Sequence, residues 1–247
     1  MTITLAHLWR HPIKSHGREA LERVSLEAGK TMPWDRTWAI AHEAAKTDGS
    51  SWAPCANFSR VAKAPKLMAI ASELDETTEM LTLSHPEQPT VTIHPERDAE
   101  QLLDWVRPLM PENRAASARI IRVAGRGMTD SDFPSISIAN LASNAAVADK
   151  VGTELSLIRW RANLWLDGLE AWEEFEWVGN TVQIGDVKLA VEERIGRCLA
   201  TTANPQSGER DADTLGALRE WGHQDFGIYA KVIEGGEIKL GDTVRVL

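Results

Sequence analysis

A chain of 247 residues can bury a substantial core, and its length lies between that of one large domain and that of two modest ones. Its hydrophobic share of 43% and charged share of 26% exclude a disordered or fibrous protein. The net charge of -9 argues against general nucleic-acid binding, because phosphate backbones require clustered lysine and arginine. An anionic ligand would therefore need a local basic pocket.

The first half predicts short strands separated by turns, at residues 3–9, 21–26, 37–42, 67–72, 80–83 and 91–93. This spacing favours a small barrel or sandwich over alternating strand and helix units. A helix is predicted from Asp98 to about Met110, where leucine and valine recur at helical intervals behind an acidic start. A polar stretch at 112–118 then indicates a connection, which divides the chain into domains of residues 1–112 and 113–247.

The second half predicts a strand at 120–123, a loop rich in glycine and aspartate at 125–134, and a helix from about Asn140 to Val151. Alternation around a Gly-Asp turn predicts a hairpin at 181–191. A helix at 213–221 and strands at 227–232 and 243–246 complete the pattern. These elements describe a strand-rich α+β protein.

Neither an apolar run of about 18 residues nor the basic and apolar regions of a signal peptide are present, so we expect a cytoplasmic protein without membrane association. The two cysteines are too few for a disulfide framework. A free cysteine is most often a small buried hydrophobe, and that interpretation stands for Cys55.

Cys198 has a different setting. Arg197 brings a positive charge beside the sulfur, Gly196 leaves room for another group, and Thr201 and Thr202 offer hydroxyls. The residue also lies where a strand gives way to a polar loop, and functional residues concentrate at such junctions. These neighbours indicate a reactive or metal-ligating thiolate without choosing between the two.

Single basic residues are ordinarily solvated, but three of them border apolar strands: Lys14, Arg36 and Arg161. Three neighbouring histidines have no matching set of partner ligands and are interpreted as structural or exposed: His7, His11 and His16.

Several ordered segments together carry a family resemblance: His11-Pro-Ile-Lys-Ser15, Trp34-Asp-Arg-Thr-Trp38, Asp130-Ser131, Arg161-Ala-Asn163, the stretch from Trp172 to Asp186, Arg197-Cys-Leu-Ala-Thr-Thr-Ala-Asn-Pro-Gln-Ser-Gly208, Phe226-Gly-Ile-Tyr229 and Gly241-Asp242. In this order the chain resembles the MOSC family, named for the carboxy-terminal domain of molybdenum-cofactor sulfurases, with its associated amino-terminal barrel domain. The layout is most similar to that of mitochondrial amidoxime-reducing components and their bacterial counterparts.

The resemblance implies a β-barrel MOSC domain packed on an amino-terminal β-rich domain, with a molybdenum cofactor, a pterin dithiolene called molybdopterin, between them. It implies that Cys198 is the catalytic residue and binds the metal. The residues implied to bind the cofactor are Lys14, Ser15, Arg36, Asp130, Ser131, Arg161, Asn163, Arg197, Thr201 and Tyr229. Guanidinium and ammonium groups suit the cofactor's phosphate, and soft sulfur suits the molybdenum.

The resemblance favours an oxidoreductase that reduces N-hydroxylated or other N-oxygenated small molecules. No iron-sulfur segment of the kind appended in some bacterial relatives follows the family motifs, so electrons are expected from a separate electron-transfer protein. Residues 50–66 depart from the family pattern at the substrate side. A sulfur-carrier or cofactor-delivery protein with a persulfide on Cys198 is the alternative. A binding or partner-docking module without activity ranks third.

Overall fold

The computed structural model describes residues 2–247 as a strand-rich α+β protein, which confirms the predicted fold class. Strands of the first half are β1 (Thr4–Arg10), β2 (Glu19–Leu21), β3 (Arg23–Leu26), β4 (Trp38–His42), β5 (Ala71–Asp75), β6 (Met80–His85) and β7 (Gln88–Ile93). Those of the second half are β8 (Ser117–Arg122), β9 (Ile136–Asn140), β10 (Leu164–Asp167), β11 (Thr181–Ile184), β12 (Val187–Gly196), β13 (Asp225–Glu234), β14 (Gly236–Lys239) and β15 (Val244–Val246).

Three α-helices occur at the positions that the sequence predicts: α1 (Ala99–Val106), α2 (Leu141–Val151) and α3 (Thr214–Arg219). The Asn140 side chain accepts a hydrogen bond from the backbone of Ala142, which caps α2, and Asp213 caps α3 in the same way. After α1 the chain tightens into a 3₁₀ turn that contains Pro108, because proline has no amide hydrogen with which to continue the helix. None of the helices in residues 2–247 has the length and apolar character needed to span a bilayer.

An eight-stranded sheet forms the larger part, in the order β15-β11-β12-β13-β9-β10-β1-β2. The strand pairing leaves this sheet open, but three backbone hydrogen bonds draw its far ends together. Leu5 N–H donates to Asp242 O, Gly241 N–H to Leu5 O, and Val244 N–H to Ile3 O, each at 2.9 Å. The rolled sheet encloses an aliphatic core that includes Leu8, Ile138 and Leu189.

The smaller part combines the antiparallel pair β4-β8 with the meander β5-β6-β7 and helix α1. Its separate core contains Trp38, Leu67, Leu83 and Leu102, all fully buried. The two parts do not follow one after the other along the chain, because β1 and β2 pair within the large sheet and β3 pairs with β14. The division after residue 112 therefore stays a prediction.

Two local expectations were wrong. The strand predicted at 67–72 is a 3₁₀ helix, Pro65–Ala69, followed by β5, because proline at the first position favours a helical turn. Strands β9 and β10 were missed, since they are almost wholly buried and show no alternation of polar and apolar residues.

Trp160 offers a test of the packing around α2 and α3. Its ring stacks on Phe226 with centroids 3.7 Å apart, and its Nε1–H donates to Asn144 Oδ1 at 2.7 Å. We expect Trp160→Ala to lower the free energy of unfolding by roughly 3–5 kcal/mol, because a large cavity would remain. Trp160→Phe should lose only about 1–3 kcal/mol, since stacking survives while the Asn144 oxygen loses its donor. Chemical denaturation measures the free energy of unfolding of both variants. Equal decreases in the two variants would contradict the stabilising role of the ring stacking.

Candidate functional site

A cavity of about 320 Å³ lies where the two parts meet, and its walls come from distant segments of the chain. The first half contributes Lys14, Ser15, Arg36, Cys55 and Arg60. The second half contributes Asp130, Arg159, Arg161, Arg197, Cys198, Thr201 and Tyr229, among others. Every residue of the sequence-predicted site therefore lines this cavity except Ser131 and Asn163.

Three of the lining residues hold a left-handed backbone that non-glycine residues rarely adopt. Ser15 has φ 65°, Arg36 has φ 51° and Arg161 has φ 50°. Backbone hydrogen bonds impose these conformations: Arg36 N–H donates to His11 O at 2.7 Å, and Arg161 N–H to Ile158 O at 3.0 Å. Strained backbone of this kind concentrates at functional sites, where surrounding structure holds side chains in a required direction.

Cys198 lies two residues after the end of β12 and immediately before a 3₁₀ turn, Leu199–Thr202. Its side chain is exposed, whereas Thr201 is buried and donates its hydroxyl to Cys198 O at 3.2 Å. The neighbouring Arg197 uses its side chain to hold the wall together. Nε and Nη2 donate to Phe226 O at 2.8 and 2.6 Å, and Nη1 donates to Trp160 O at 2.7 Å. Burial lowers the pKa of Arg197 to about 10, so it remains a cation at neutral pH.

Lys14 and Arg36, the two predicted cations of the first half, are paired within the protein. Lys14 Nζ donates to Asp130 Oδ1 at 2.6 Å and to Met128 O at 2.7 Å. Burial alone would raise the pKa of Asp130, but the positive charges of Lys14, Arg36 and Arg161 together lower that pKa. Arg36 forms a buried ion pair with Asp35, and its Nη2 donates to Arg161 O at 2.8 Å.

Two other arginines keep buried donors that have no partner among residues 2–247. Arg161 donates Nη1–H to Gly17 O at 3.1 Å, while its Nη2 has none. Arg159 donates Nη2–H to Asp211 at 2.8 Å, while its Nε and Nη1 have none. Burial and the nearby Arg36 lower the pKa of Arg161 to about 9, because two like charges share a dry site. A bound anion would satisfy these donors and relieve that repulsion.

Ser131 and Asn163 stand behind the wall and support it. Asn163 is buried, and its Oδ1 accepts from the amide and the hydroxyl of Ser137 at 3.1 and 2.8 Å. Ser131 donates its hydroxyl to Phe133 O at 2.8 Å. These bonds fix the segments that carry Arg161 and Asp130. A direct contact of Ser131 or Asn163 with a cofactor stays a prediction, and the contacts described here position their neighbours.

Among the lining residues that sequence reasoning missed are a second cysteine and two arginines: Cys55, Arg60 and Arg159. Arg60 Nη1 donates to Cys55 Sγ at 3.0 Å, so the second cysteine of the chain also reaches the cavity. Arg159 could have been found, because it lies two residues before Arg161 in Arg-Trp-Arg. Cys55 and Arg60 lie in the divergent segment 50–66, where no local signal marks them. Tyr229 completes the wall, and burial followed by the negative charge of Asp130 raises its pKa, so its phenol stays protonated.

Comparison with known proteins shows two family models along this chain. The MOSC N-terminal beta barrel domain matches residues 2–115, and the MOSC domain matches residues 127–245. Mitochondrial amidoxime-reducing component 1 of Mus musculus is 24% identical over an alignment of 292 positions. The alignment covers 99% of this chain and 82% of that relative.

One further relative and one solved structure are similar to parts or all of the chain. Molybdenum cofactor sulfurase of Drosophila ananassae is 27% identical over 161 residues, which cover 60% of this chain and only 20% of that relative. The crystal structure of the YuaD protein from Bacillus subtilis has a TM-score of 0.48 and 13% identity, over 100% of this chain and 96% of that one.

Two of the three histidines interpreted as structural or exposed are fully enclosed beside the cavity. Burial, then Arg161 and Arg36, lower the pKa of His11 to about 3, against the opposing effect of Asp35. Burial lowers the pKa of His16 to about 4, even though its Nδ1 lies 2.7 Å from Lys14 O. Both imidazoles are therefore neutral in the folded protein at neutral pH.

We expect acid to destabilise the fold through His16. Its folded pKa of about 4 lies below the unfolded value of 6.5, so the unfolded chain binds more protons in that interval and stability falls as pH drops through it. Between about pH 7.5 and about pH 5 this one histidine should remove about 2 kcal/mol from the free energy of unfolding. In His16→Asn, the decrease in the free energy of unfolding over this pH interval should be smaller by that amount. The asparagine amide can still donate to Lys14 O.

The matched control is His7→Asn, which replaces an exposed histidine in the same way. Urea denaturation at both pH values measures the change. An unaltered acid loss in His16→Asn would contradict the assignment of a neutral buried imidazole.

Proposed function

Because the chain belongs to the family that joins a MOSC N-terminal beta barrel domain to a MOSC domain, we propose that it binds a molybdenum cofactor and reduces N-oxygenated compounds. One observation carries the proposal. The exposed Cys198 lines the same cavity as Arg159 and Arg161, whose guanidinium groups keep buried donors without a partner within residues 2–247. A soft metal ligand and an anion cradle thus share one space, and the cavity volume lies in the range of cofactor sites.

The residues present fit the cofactor's chemistry. Its phosphate needs charge-assisted donors, and Arg159 and Arg161 have three buried nitrogen atoms without partners in the described part of the chain. Its pterin offers hydrogen-bonding edges, for which Ser15 and the protonated phenol of Tyr229 are suitable partners. Cys198 would supply the protein thiolate to the metal. When bound, the cofactor supplies reversible two-electron redox chemistry.

The chain's own contribution is to bind, orient and keep charges balanced. Reduction of an N-hydroxylated base breaks its N–O bond, consumes two electrons and two protons, and releases water. Tyr229 stays protonated and can therefore donate a hydrogen bond to a polar group in the cavity. Lys14 holds Asp130 ionised at the wall. We propose that a separate electron-transfer protein supplies the electrons and that the substrate is a small molecule able to enter beside Cys198.

A second candidate function rests on the exposure of Cys198 and on the partial similarity to a molybdenum cofactor sulfurase. An accessible thiol next to a cationic wall could instead carry a persulfide for delivery to another protein. Mass spectrometry distinguishes the two functions. A persulfide on Cys198 together with an absence of bound pterin would favour sulfur transfer.

The cofactor proposal is tested by loading the full chain during co-expression with cofactor biosynthesis. Purified protein should contain molybdenum and fluorescent pterin. Cys198→Ser should lose most of its molybdenum, because a hydroxyl is a poor substitute for a thiolate. Arg159→Gln and Arg161→Gln should each lower pterin content about tenfold or more, since each removes charge-assisted bonds to the phosphate.

The matched control is Arg107→Gln, since Arg107 is exposed and, within residues 2–247, forms an ion pair only with Asp104 at the surface. It should load as the wild-type protein does. Metal analysis and pterin fluorescence are measured on the same samples, with circular dichroism to confirm folding. Wild-type protein that contains neither molybdenum nor pterin after co-expression would refute the proposal.

A further inference from the structure

Arg60 stands on a rigid support at the cavity wall. The preceding residues extend the pair β4-β8, because Phe58 forms a bridge with Ala41 and Ser59 N–H donates to Ile40 O at 2.8 Å. The following residues close a turn in which Arg60 O accepts from Lys63 and Ala64 at 2.9 and 3.0 Å. The Arg60 backbone is therefore held from both sides.

This support is tied to the segment that carries Cys198. The guanidinium of Arg210 donates to Leu199 O through Nη1 and to Ala62 O through Nη2, the latter at 3.0 Å. One side chain thus links the residue after Cys198 to a residue two positions after Arg60. Both Arg60 and Cys198 line the same cavity, so Arg60 belongs to the wall around a molecule bound beside Cys198.

Arg60 differs from most other cations of the cavity because it lacks a carboxylate partner within residues 2–247. Its one side-chain hydrogen bond there runs from Nη1 to Cys55 Sγ, and a thiol is a weak acceptor. Asp130, the carboxylate of the wall, is already bonded to Lys14. Arg60 is also half-exposed, in contrast to the buried Arg159. Its Nε and Nη2 edge is left with two parallel donors, the geometry that a carboxylate accepts.

We propose that Arg60 is a specificity-determining residue that binds the carboxylate of the substrate, so that the protein prefers N-hydroxylated compounds that carry a carboxylate group. This inference rests on the proposed reductase function. The buried pair Arg159 and Arg161 serves the cofactor, whereas the half-exposed Arg60 serves the substrate. A neutral or cationic N-hydroxylated compound forms no ion pair with the Arg60 guanidinium. Its binding still removes water from that guanidinium, which costs free energy.

The experiment compares benzamidoxime with the same compound bearing a para carboxylate. Binding to cofactor-loaded full chain is measured by calorimetry, and turnover is measured with a chemically reduced viologen dye as electron donor. The wild-type protein should bind the carboxylate compound about tenfold more tightly and show a similar ratio in kcat/KM. Arg60→Gln should abolish that preference while leaving benzamidoxime binding within about twofold of wild type. Arg60→Lys should retain part of the preference, because it keeps the charge without the fork.

The outcomes separate this inference from the function on which it rests. Equal wild-type affinity for the two compounds, or an equal loss for both in Arg60→Gln, would overturn the role of Arg60 even if benzamidoxime is reduced. Loss of pterin from Arg60→Gln would also overturn it, because Arg60 would then hold the cofactor. A carboxylate preference in binding without reduction of either compound would support Arg60 and refute the reductase. Arg107→Gln again serves as the control. It should change neither the ratio of the two affinities nor the ratio of the two kcat/KM values.

Discussion

Burial of the Arg36 guanidinium is the constraint on which the site depends. Its charge is balanced by Asp35 in the first half, and its Nη2 donates to the backbone of Arg161 in the second half. The Arg36 backbone also joins distant loops, since its amide donates to His11 O and its carbonyl accepts from Met128, both at 2.7 Å. Because a buried cation without partners is strongly unfavourable, the contacts from these segments together stabilise the Arg36 guanidinium.

The distribution of paired and unpaired cations explains how a chain with net charge -9 can present a positive cavity. Lys14, Arg36 and Arg159 each contact a carboxylate, of Asp130, Asp35 and Asp211 respectively. Arg60, Arg161 and Arg197 lack such a partner within residues 2–247. The cations without a carboxylate partner leave a local positive field that low-dielectric surroundings strengthen. Anion affinity is therefore a property of the cavity and not of the whole surface.

Cys198 is presented by a sheet that is irregular at this point. Register shifts between β12 and β13 occur at Val191/Glu193 and again at Arg194/Gly196, and such bulges bend a strand and redirect its side chains. Gly227 lies opposite with φ 73°, and a Cβ there would come within 2.5 Å of Ile138 O. Only glycine allows this close approach, which brings Phe226 O to the Arg197 guanidinium. The thiol at the strand end thus depends on backbone features of three neighbouring strands.

The sequence by itself determined the elements and residues whose physical causes are local. The caps Asn140 and Asp213 mark their helices, and Cys198 stands out through its immediate neighbours and its motif. Lys14, Arg36 and Arg161 could be chosen because each lies in an ordered family segment. Only the tertiary structure decided that β1 pairs with β10, that Arg159 has unpartnered donors, and that Cys55 and Arg60 face Cys198's cavity. These properties arise from burial and from contacts between residues far apart in the chain, and such contacts leave no periodicity or spacing in the sequence.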